Sequence, residues 1–216
     1  AEGIHPIIGC EVYVARRTRF DKVHEYDAES RHLVLLCKNE TGYRNLSYMV
    51  SQAFVEGFYI KPRIDLDLLR QHSEGLIALS ACLAGEIPKR LVNGDYDGAK
   101  EYALTMEDNF YLELQDHGIP QQTLVNRDLL RIHQETGIPM VCTNDAHYLR
   151  PEDAESHDVL LCIQTGKTVD DENRMRYEPR NFYLRSTEEM EELFGAYPDA
   201  VANAQRIADR CQMEFT

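Results

Sequence analysis

The stretch IPMVCTNDAHYL, residues 138–149, joins a short apolar run to a sudden group of polar residues. The apolar run suits a buried strand, and it stops at Thr143. A carboxylate, Asp145, and an imidazole, His147, follow two residues apart. Because side chains alternate across an extended backbone, these two would point the same way. Three interpretations are open: two metal ligands, an acid/base pair, or a turn with a surface histidine.

Similar strand-like runs recur along the chain, with helical patterns between most of them. These runs lie at 6–15, 32–38, 75–82, 109–115 and 138–144. In 40–56 and 120–136, apolar residues recur at helical spacing and a glycine follows each segment. Strands that alternate with helices predict an α/β fold with a parallel sheet or a barrel. Two closing helices are predicted at 186–194 and 198–211, where a serine cap and a proline mark the starts.

Composition narrows the class of protein. The 216 residues carry a net charge of −14, which disfavours a broad basic surface for nucleic acid. This charge favours a metal-dependent enzyme or one module of a larger assembly. No apolar stretch approaches the roughly 20 residues of a membrane-spanning helix, so no membrane partner is expected. The six cysteines include no CxxC pair and predict a reduced, cytoplasmic protein.

Three further residues carry metal-binding side chains. Cys82 ends a predicted strand, and the carboxyl ends of parallel strands share the functional edge of such folds. A small core residue is the alternative for Cys82. Glu11 interrupts an apolar strand, so it is either a ligand or part of a strand face that looks onto solvent. His32 begins its strand, and this position by itself favours a surface histidine.

Four other residues are weaker candidates for substrate contact. His117 follows a predicted strand, where it could face substrate or support a ligand, or simply pack at the surface. The run 167–177 contains Lys167, Arg174 and Arg176, which could steer a phosphate. A solvated loop is the alternative for this run.

Seven blocks of the sequence, taken in order, extend over essentially the whole chain. They are PIIGCEVYVA, HLVLLCKNETGYRNL, EGFYIKPRIDLDLL, GLIALSACLAGEIP, FYLELQDHGIP, TNDAHYLRPEDAESHDVLLCIQTGKTVDDENRMR and FYLRSTEEM. In this order they resemble the PHP (polymerase and histidinol phosphatase) domain of bacterial replicative DNA polymerase III alpha subunits. The resemblance implies a distorted (β/α)7 TIM-like barrel. It assigns 1–185 to the PHP domain and 186–216 to helices that lead toward the polymerase palm.

The resemblance also implies a metal site and a reaction. The implied ligands are Glu11, His32, Cys82, Asp145 and His147. In an intact domain they would help to hold up to three divalent ions, zinc, manganese or iron, for 3′–5′ proofreading of a DNA primer end. The alternative is an inactive structural module that stabilises the palm, fingers and thumb and docks other replisome subunits. A stand-alone small-molecule phosphatase is disfavoured by the polymerase-like blocks.

Two departures from the family pattern lead to further expectations. The family opens with an HxH strand, an Asp and a TDHG block ahead of PIIGCE, whereas this sequence begins at Ala1. We therefore expect an N-terminally truncated PHP domain with an incomplete metal cluster, fewer metals or none, little nuclease activity and no polymerase activity. The chain also looks several residues short between Met106 and Asn109, which suggests a gap there.

Overall fold

The structure, a computed structural model, describes residues 3–106 and 108–213. Within these residues six strands form one sheet. The strands are β1 (Gly9–Ala15), β2 (Ser30–Cys37), β3 (Arg63–Ile64), β4 (Leu76–Leu79), β5 (Phe110–Leu114) and β6 (Met140–Cys142). Their order across the sheet is β3-β1-β2-β4-β5-β6. The suspected gap falls on Glu107, which lies outside the described residues, as does Ala1.

Helices connect and cover these strands, and the mixed α/β class predicted from the sequence is confirmed. They are α1 (His24–Asp27), α2 (Glu40–Val55), α3 (Leu66–Gln71), α4 (Glu86–Val92), α5 (Tyr96–Thr105), α6 (Pro120–Thr136), α7 (Ala154–Thr165), α8 (Thr187–Leu193) and α9 (Pro198–Arg210). The four predicted helices correspond to α2, α6, α8 and α9. Local capping explains the boundaries: the Asn39 side chain accepts a hydrogen bond from the Gly42 N–H, and α6 ends at Gly137 with φ 76°.

The expectation of a wholly parallel sheet is wrong at one strand. β2 runs antiparallel to both of its neighbours, β1 and β4, while the other pairs are parallel. The connection from β1 to β2 contains only the four-residue α1, and it lacks the long helical crossover that a parallel pair needs. Because β2 is reversed, its amino end lies at the same edge of the sheet as the carboxyl ends of the other strands.

Apolar side chains pack on both faces of the sheet. The main core contains Val12, Leu33 and Leu35, together with residues from the helices α2, α4 and α6. The second face is covered in part by α9, whose Ile207 packs beside Val141. The segment predicted as closing helices thus contacts the sheet, and the boundary at residue 185 stays a prediction. No helix in the described ranges is both long and apolar enough to cross a membrane.

Candidate metal centre

A cavity of about 720 Å³ opens where the amino end of β2 meets the carboxyl ends of its neighbours. All five of the predicted ligand residues line it: Glu11, His32, Cys82, Asp145 and His147. They divide into two groups. We call Glu11, His32 and Cys82 the ligand trio, and Asp145 with His147 the loop pair. The cavity therefore collects side chains that are distant from each other in the sequence.

The ligand trio is tightly assembled. His32 Nδ1 lies 2.9 Å from Glu11 Oε1 and 3.6 Å from Cys82 Sγ. One ligand atom from each of the three residues lies within 4.8 Å of the others. Carboxylate oxygen, imidazole nitrogen and cysteine sulfur are the donors that bind zinc in proteins. The donor set of the trio therefore fits a divalent metal ion.

Strand register explains how two members of the trio meet. In the antiparallel pair β1 and β2, Tyr13 stands opposite His32 and Glu11 stands opposite Val34. Glu11 and His32 are therefore diagonal neighbours on one face of the sheet, close enough for long side chains to touch. The neighbouring Val12 is buried on the other face, so Glu11 faces the cavity without being an unpaired charge in the core.

The position of His32 at the start of its strand favoured a surface residue, and that argument is wrong because β2 is reversed. Its side chain is only 25% exposed. Hydrogen bonds with Cys82 and Glu11 raise the pKa of His32 to about 10. The carboxylate and the sulfur that stabilise the protonated imidazole would also attract a divalent cation, which must displace that proton to bind Nδ1.

Cys82 reaches the trio through an unusual turn after β4. Ala81 has a left-handed backbone with φ 63°, which is uncommon for a residue other than glycine. Its N–H donates a hydrogen bond of 2.9 Å to Glu113 Oε2. Glu113 is buried in β5, and its other carboxylate oxygen accepts from the Gln115 side chain and from the Thr143 hydroxyl. Burial raises the pKa of Glu113.

Glu113 thus connects the turn that carries Cys82 to the segment that leads to Asp145. Sequence reasoning missed this residue, although a charged residue within the apolar run FYLEL was the available signal. A buried carboxylate needs partners, and these partners turn out to lie beside both groups of candidate ligands.

The loop pair is placed by irregular backbone. Asp145 has φ 43°, so the chain is not extended there and strict alternation does not bring the pair together. Instead, the His147 N–H donates to the Phe182 carbonyl at 2.8 Å, and His147 Nδ1 lies 2.8 Å from the carbonyl oxygen of Asp145. Burial raises the pKa of Asp145, whereas the His147 residue is exposed. Both residues line the cavity, outside the 4.8 Å group that the trio forms.

His117 does not occupy the substrate-facing position predicted for it, because it is fully buried. Its Nε2 lies 2.7 Å from the Asn144 carbonyl oxygen, and its Nδ1 lies 2.9 Å from Gln122 Nε2. The ring stacks on Phe182 with the centroids 4.2 Å apart. Burial lowers the pKa of His117. The residue supports the backbone just before Asp145.

None of the three predicted phosphate-steering cations is among the residues that line the cavity, although both neighbours of Arg176 in the sequence are. Arg174 forms two hydrogen bonds, 2.6 and 2.7 Å long, to the carboxylate of Asp158 in α7, and its side chain is only 4% exposed. Arg174 and Asp158 form a structural ion pair, so the phosphate-steering interpretation is wrong for Arg174. Lys167 and Arg176 are exposed, but neither is among the cavity-lining residues. Lys61, which sequence reasoning passed over, does line the cavity.

Comparison with known proteins identifies the family of this chain. Residues 1–117 match the family described as PHP domain. This chain belongs to the PHP domain family. Among relatives named DNA polymerase III subunit alpha, the protein of Treponema pallidum (strain Nichols) is 48% identical over 100% of this chain and 19% of its own length.

Two further relatives carry the same name. The protein of Borreliella burgdorferi is 45% identical over 97% of this chain and 19% of its own length. The protein of Thermus aquaticus is 46% identical over 100% of this chain and 18% of its own length. This chain thus spans about a fifth of the length of these relatives. The family resemblance inferred from the seven sequence blocks is confirmed.

Proposed function

We propose that this PHP domain is part of a bacterial DNA polymerase III alpha subunit and hydrolyses phosphodiester bonds at DNA 3′ ends, with divalent metal ions as cofactors. The supporting observation is that five ligand-type side chains from four separate parts of the chain converge on one cavity. The names of the relatives support the identity of the larger protein. Its other proposed partners are the palm, fingers and thumb, a DNA primer end and the remaining replisome subunits, in the cytoplasm.

The two groups of residues would bind different metal ions. The ligand trio would hold one ion, with zinc favoured by the sulfur of Cys82 over manganese or iron. Asp145 and His147 would contribute to a further ion. The Asp145 carbonyl can only accept a hydrogen bond, so it keeps a proton on His147 Nδ1 and leaves Nε2 free to bind. Bound ions would polarise a phosphoryl oxygen as Lewis acids.

We also propose that the sheet belongs to a distorted (β/α)7 barrel of the PHP type, with residues 1–185 as the domain and 186–216 leading toward the palm. Glu11 on β1 and Asp145 beyond β6 line the same cavity, although three strands separate β1 from β6 in the sheet. In a flat sheet these strands would lie about 19 Å apart. Strong curvature of the sheet accounts for a shared cavity.

The test uses the full-length subunit and a primer with a mismatched 3′ end. We expect Asp145→Asn to reduce hydrolysis by about 10- to 100-fold, because it removes a charged ligand. Asp67→Asn is the matched control, since Asp67 is exposed and does not line the cavity. Elemental analysis of each protein measures the bound metal. Equal hydrolysis by both variants would contradict the proposal.

A second candidate function is a structural module that docks the rest of the polymerase. It is favoured by exposed apolar side chains on and before α7: Leu149 is 71% exposed and Ile163 is 71% exposed. Burying such residues against a partner would be favourable. Leu149→Ser and Ile163→Ser together should then lower the melting temperature of the full-length subunit without changing primer-end hydrolysis. A lowered hydrolysis rate at unchanged stability would argue against a purely structural role.

A further inference from the structure

The cavity contains one basic side chain that the proposed reaction has not used. Lys61 is the single lysine or arginine among the described residues that line it. The side chain is exposed, and no ion pair with a described carboxylate engages it. All the other charged groups of the lining are carboxylates, histidines or a thiol. A cation without a carboxylate partner in this position suits an anionic substrate.

Lys61 lies beside the ligand trio rather than within it. Its Nζ lies 5.4 Å from the ring centroid of Tyr13. On the other side, the Tyr13 ring centroid is 5.2 Å from that of His32. One aromatic ring therefore separates the lysine from the trio. A phosphate bound by Lys61 would be a neighbour of the phosphate that reacts at the trio.

The backbone that presents Lys61 is firmly anchored. Arg63, two residues further on, is fully buried, and its guanidinium donates to backbone carbonyl oxygens at Gly57 (3.0 Å), Asp27 (3.2 Å), Asp21 (2.8 Å) and Arg19 (3.2 Å). Gly57 also lets the Arg63 backbone lie close to it, because a Cβ at position 57 would lie 1.9 Å from the Arg63 carbonyl oxygen. The bonds fix both ends of the segment 57–63 and place Lys61 at the cavity before any substrate arrives.

Ile60, immediately before the lysine, has an unusual conformation. Its φ is 64°, a left-handed value that β-branched residues rarely adopt. The side chain is nevertheless 54% exposed and lines the cavity. Backbone strain of this kind persists where the surrounding structure imposes it, and it is concentrated at ligand-binding positions. Here it holds an apolar side chain beside the cation.

We propose that Lys61 binds the non-reacting phosphate of a nucleotide substrate, with Ile60 as the apolar contact for the adjoining sugar or base. The inference rests on the proposed function and adds a phosphate-binding position to the same site. Its structural alternative is that Lys61 merely covers the Tyr13 ring as a cation–π contact.

The first test measures steady-state hydrolysis of the p-nitrophenyl ester of thymidine 5′-phosphate and of a short DNA strand by the full-length subunit. The ester has no second phosphate, whereas the strand has several. We expect Lys61→Met to raise KM for the strand by about ten-fold, since it removes a charge-assisted contact. The ester should be unaffected, with kcat and metal content retained. Lys61→Arg should restore most of the lost affinity.

Lys167→Met is the matched control, because Lys167 is exposed but does not line the cavity. The same KM for the strand in Lys61→Met and Lys167→Met would overturn the inference while leaving the proposed hydrolysis intact. An equal effect of Lys61→Met on the ester would also overturn it.

A second test needs no turnover. Titration calorimetry with thymidine 5′,3′-bisphosphate should give about ten-fold weaker binding to Lys61→Met than to the wild type or Lys167→Met. If the wild type hydrolyses no DNA but this difference is observed, the phosphate site stands and the proposed reaction fails. Equal binding by all three proteins would show that Lys61 does not bind a phosphate of the nucleotide.

Discussion

The ligand trio and the loop pair form two walls of the cavity, the trio wall and the loop wall, and the two are built in different ways. In the ligand trio, the register of β1 and β2 brings Glu11 and His32 to a contact of 2.9 Å, and Cys82 joins them from the turn after β4, 3.6 Å from His32. The loop pair stands beyond the last residue of β6, on backbone that is left-handed at Asp145. Its placement depends on contacts with Phe182, which is distant in sequence.

The comparison teaches that strand pairing positions side chains through the backbone itself, whereas a loop needs packing partners. Around His147 these partners are aromatic: Tyr177 lies 4.6 Å away between ring centroids, and His157 lies 5.6 Å away. We therefore expect the trio wall to tolerate changes in the aromatic cluster. The position of the loop pair should change when residues of the aromatic cluster are substituted.

The largest loss of stability is expected at Glu113, which connects the two walls. Glu113→Ala would leave the Ala81 N–H and the Thr143 hydroxyl without their common acceptor in the interior. We expect the free energy of unfolding to fall by about 2–4 kcal/mol, measured by chemical denaturation, because several buried polar groups lose partners together. Glu113→Gln should lose less, since its oxygen can still accept. Glu101→Ala, at an exposed position, is the control and should cost little.

Replacing one residue of the ligand trio should change metal affinity more than the free energy of unfolding. Cys82→Ser replaces a soft sulfur ligand, and we expect zinc affinity to fall by about 10- to 100-fold. Cys10→Ser is the matched control, because Cys10 lies next to Glu11 on β1 but outside the trio. Competition with a chromogenic chelator measures both. Equal zinc affinities for the two variants would show that Cys82 is not a zinc ligand.

A smaller effect is expected from the loop wall. Phe182→Leu removes the stacking on His117 and the edge contact with His147. We expect a loss of about 1 kcal/mol in unfolding free energy, with reduced primer-end hydrolysis and unchanged zinc affinity. Phe54→Leu, where the side chain is exposed, serves as control. A parallel fall in zinc affinity for Phe182→Leu would mean that the two walls are coupled.

A pH titration examines the buried carboxylate of Asp27 in α1. Asp27 accepts from the Arg17 side chain and the Val23 N–H, and the Arg17 bond lowers the pKa of Asp27 from 3.8 to about 2. Because the folded pKa lies below the unfolded one, this stabilisation is present above pH 3.8 and is lost as pH falls through about 2. The difference in Tm between wild type and Asp27→Asn should shrink across that window.

Prediction from the sequence worked best where structure is decided locally. The pattern at 40–56 anticipated α2 to within one residue, because helical periodicity and caps act over a few neighbours. It failed for β3, whose two residues are too short to show a strand pattern. It also failed for the direction of β2, and thereby for the surface position favoured for His32, because alternation is the same in either direction.

For the site, the residue types were identifiable but their surroundings were not. Resemblance to a family named the five ligand-type residues, and each of them lines the cavity. The same reasoning could not foresee that His117 is buried or that Arg174 is paired with Asp158. It passed over Lys61, because a lysine in a loop carries no periodic signal.

The amino-acid sequence by itself determined the mixed α/β class, the main helices and the family, since these depend on local propensity and on ordered sequence blocks. Only the tertiary structure decided that β2 is reversed, that Glu113 joins two strand ends and that Lys61 reaches the cavity. The physical reason is that each of these depends on pairing between residues far apart in the chain. Such pairings are chosen by the packing of the whole domain.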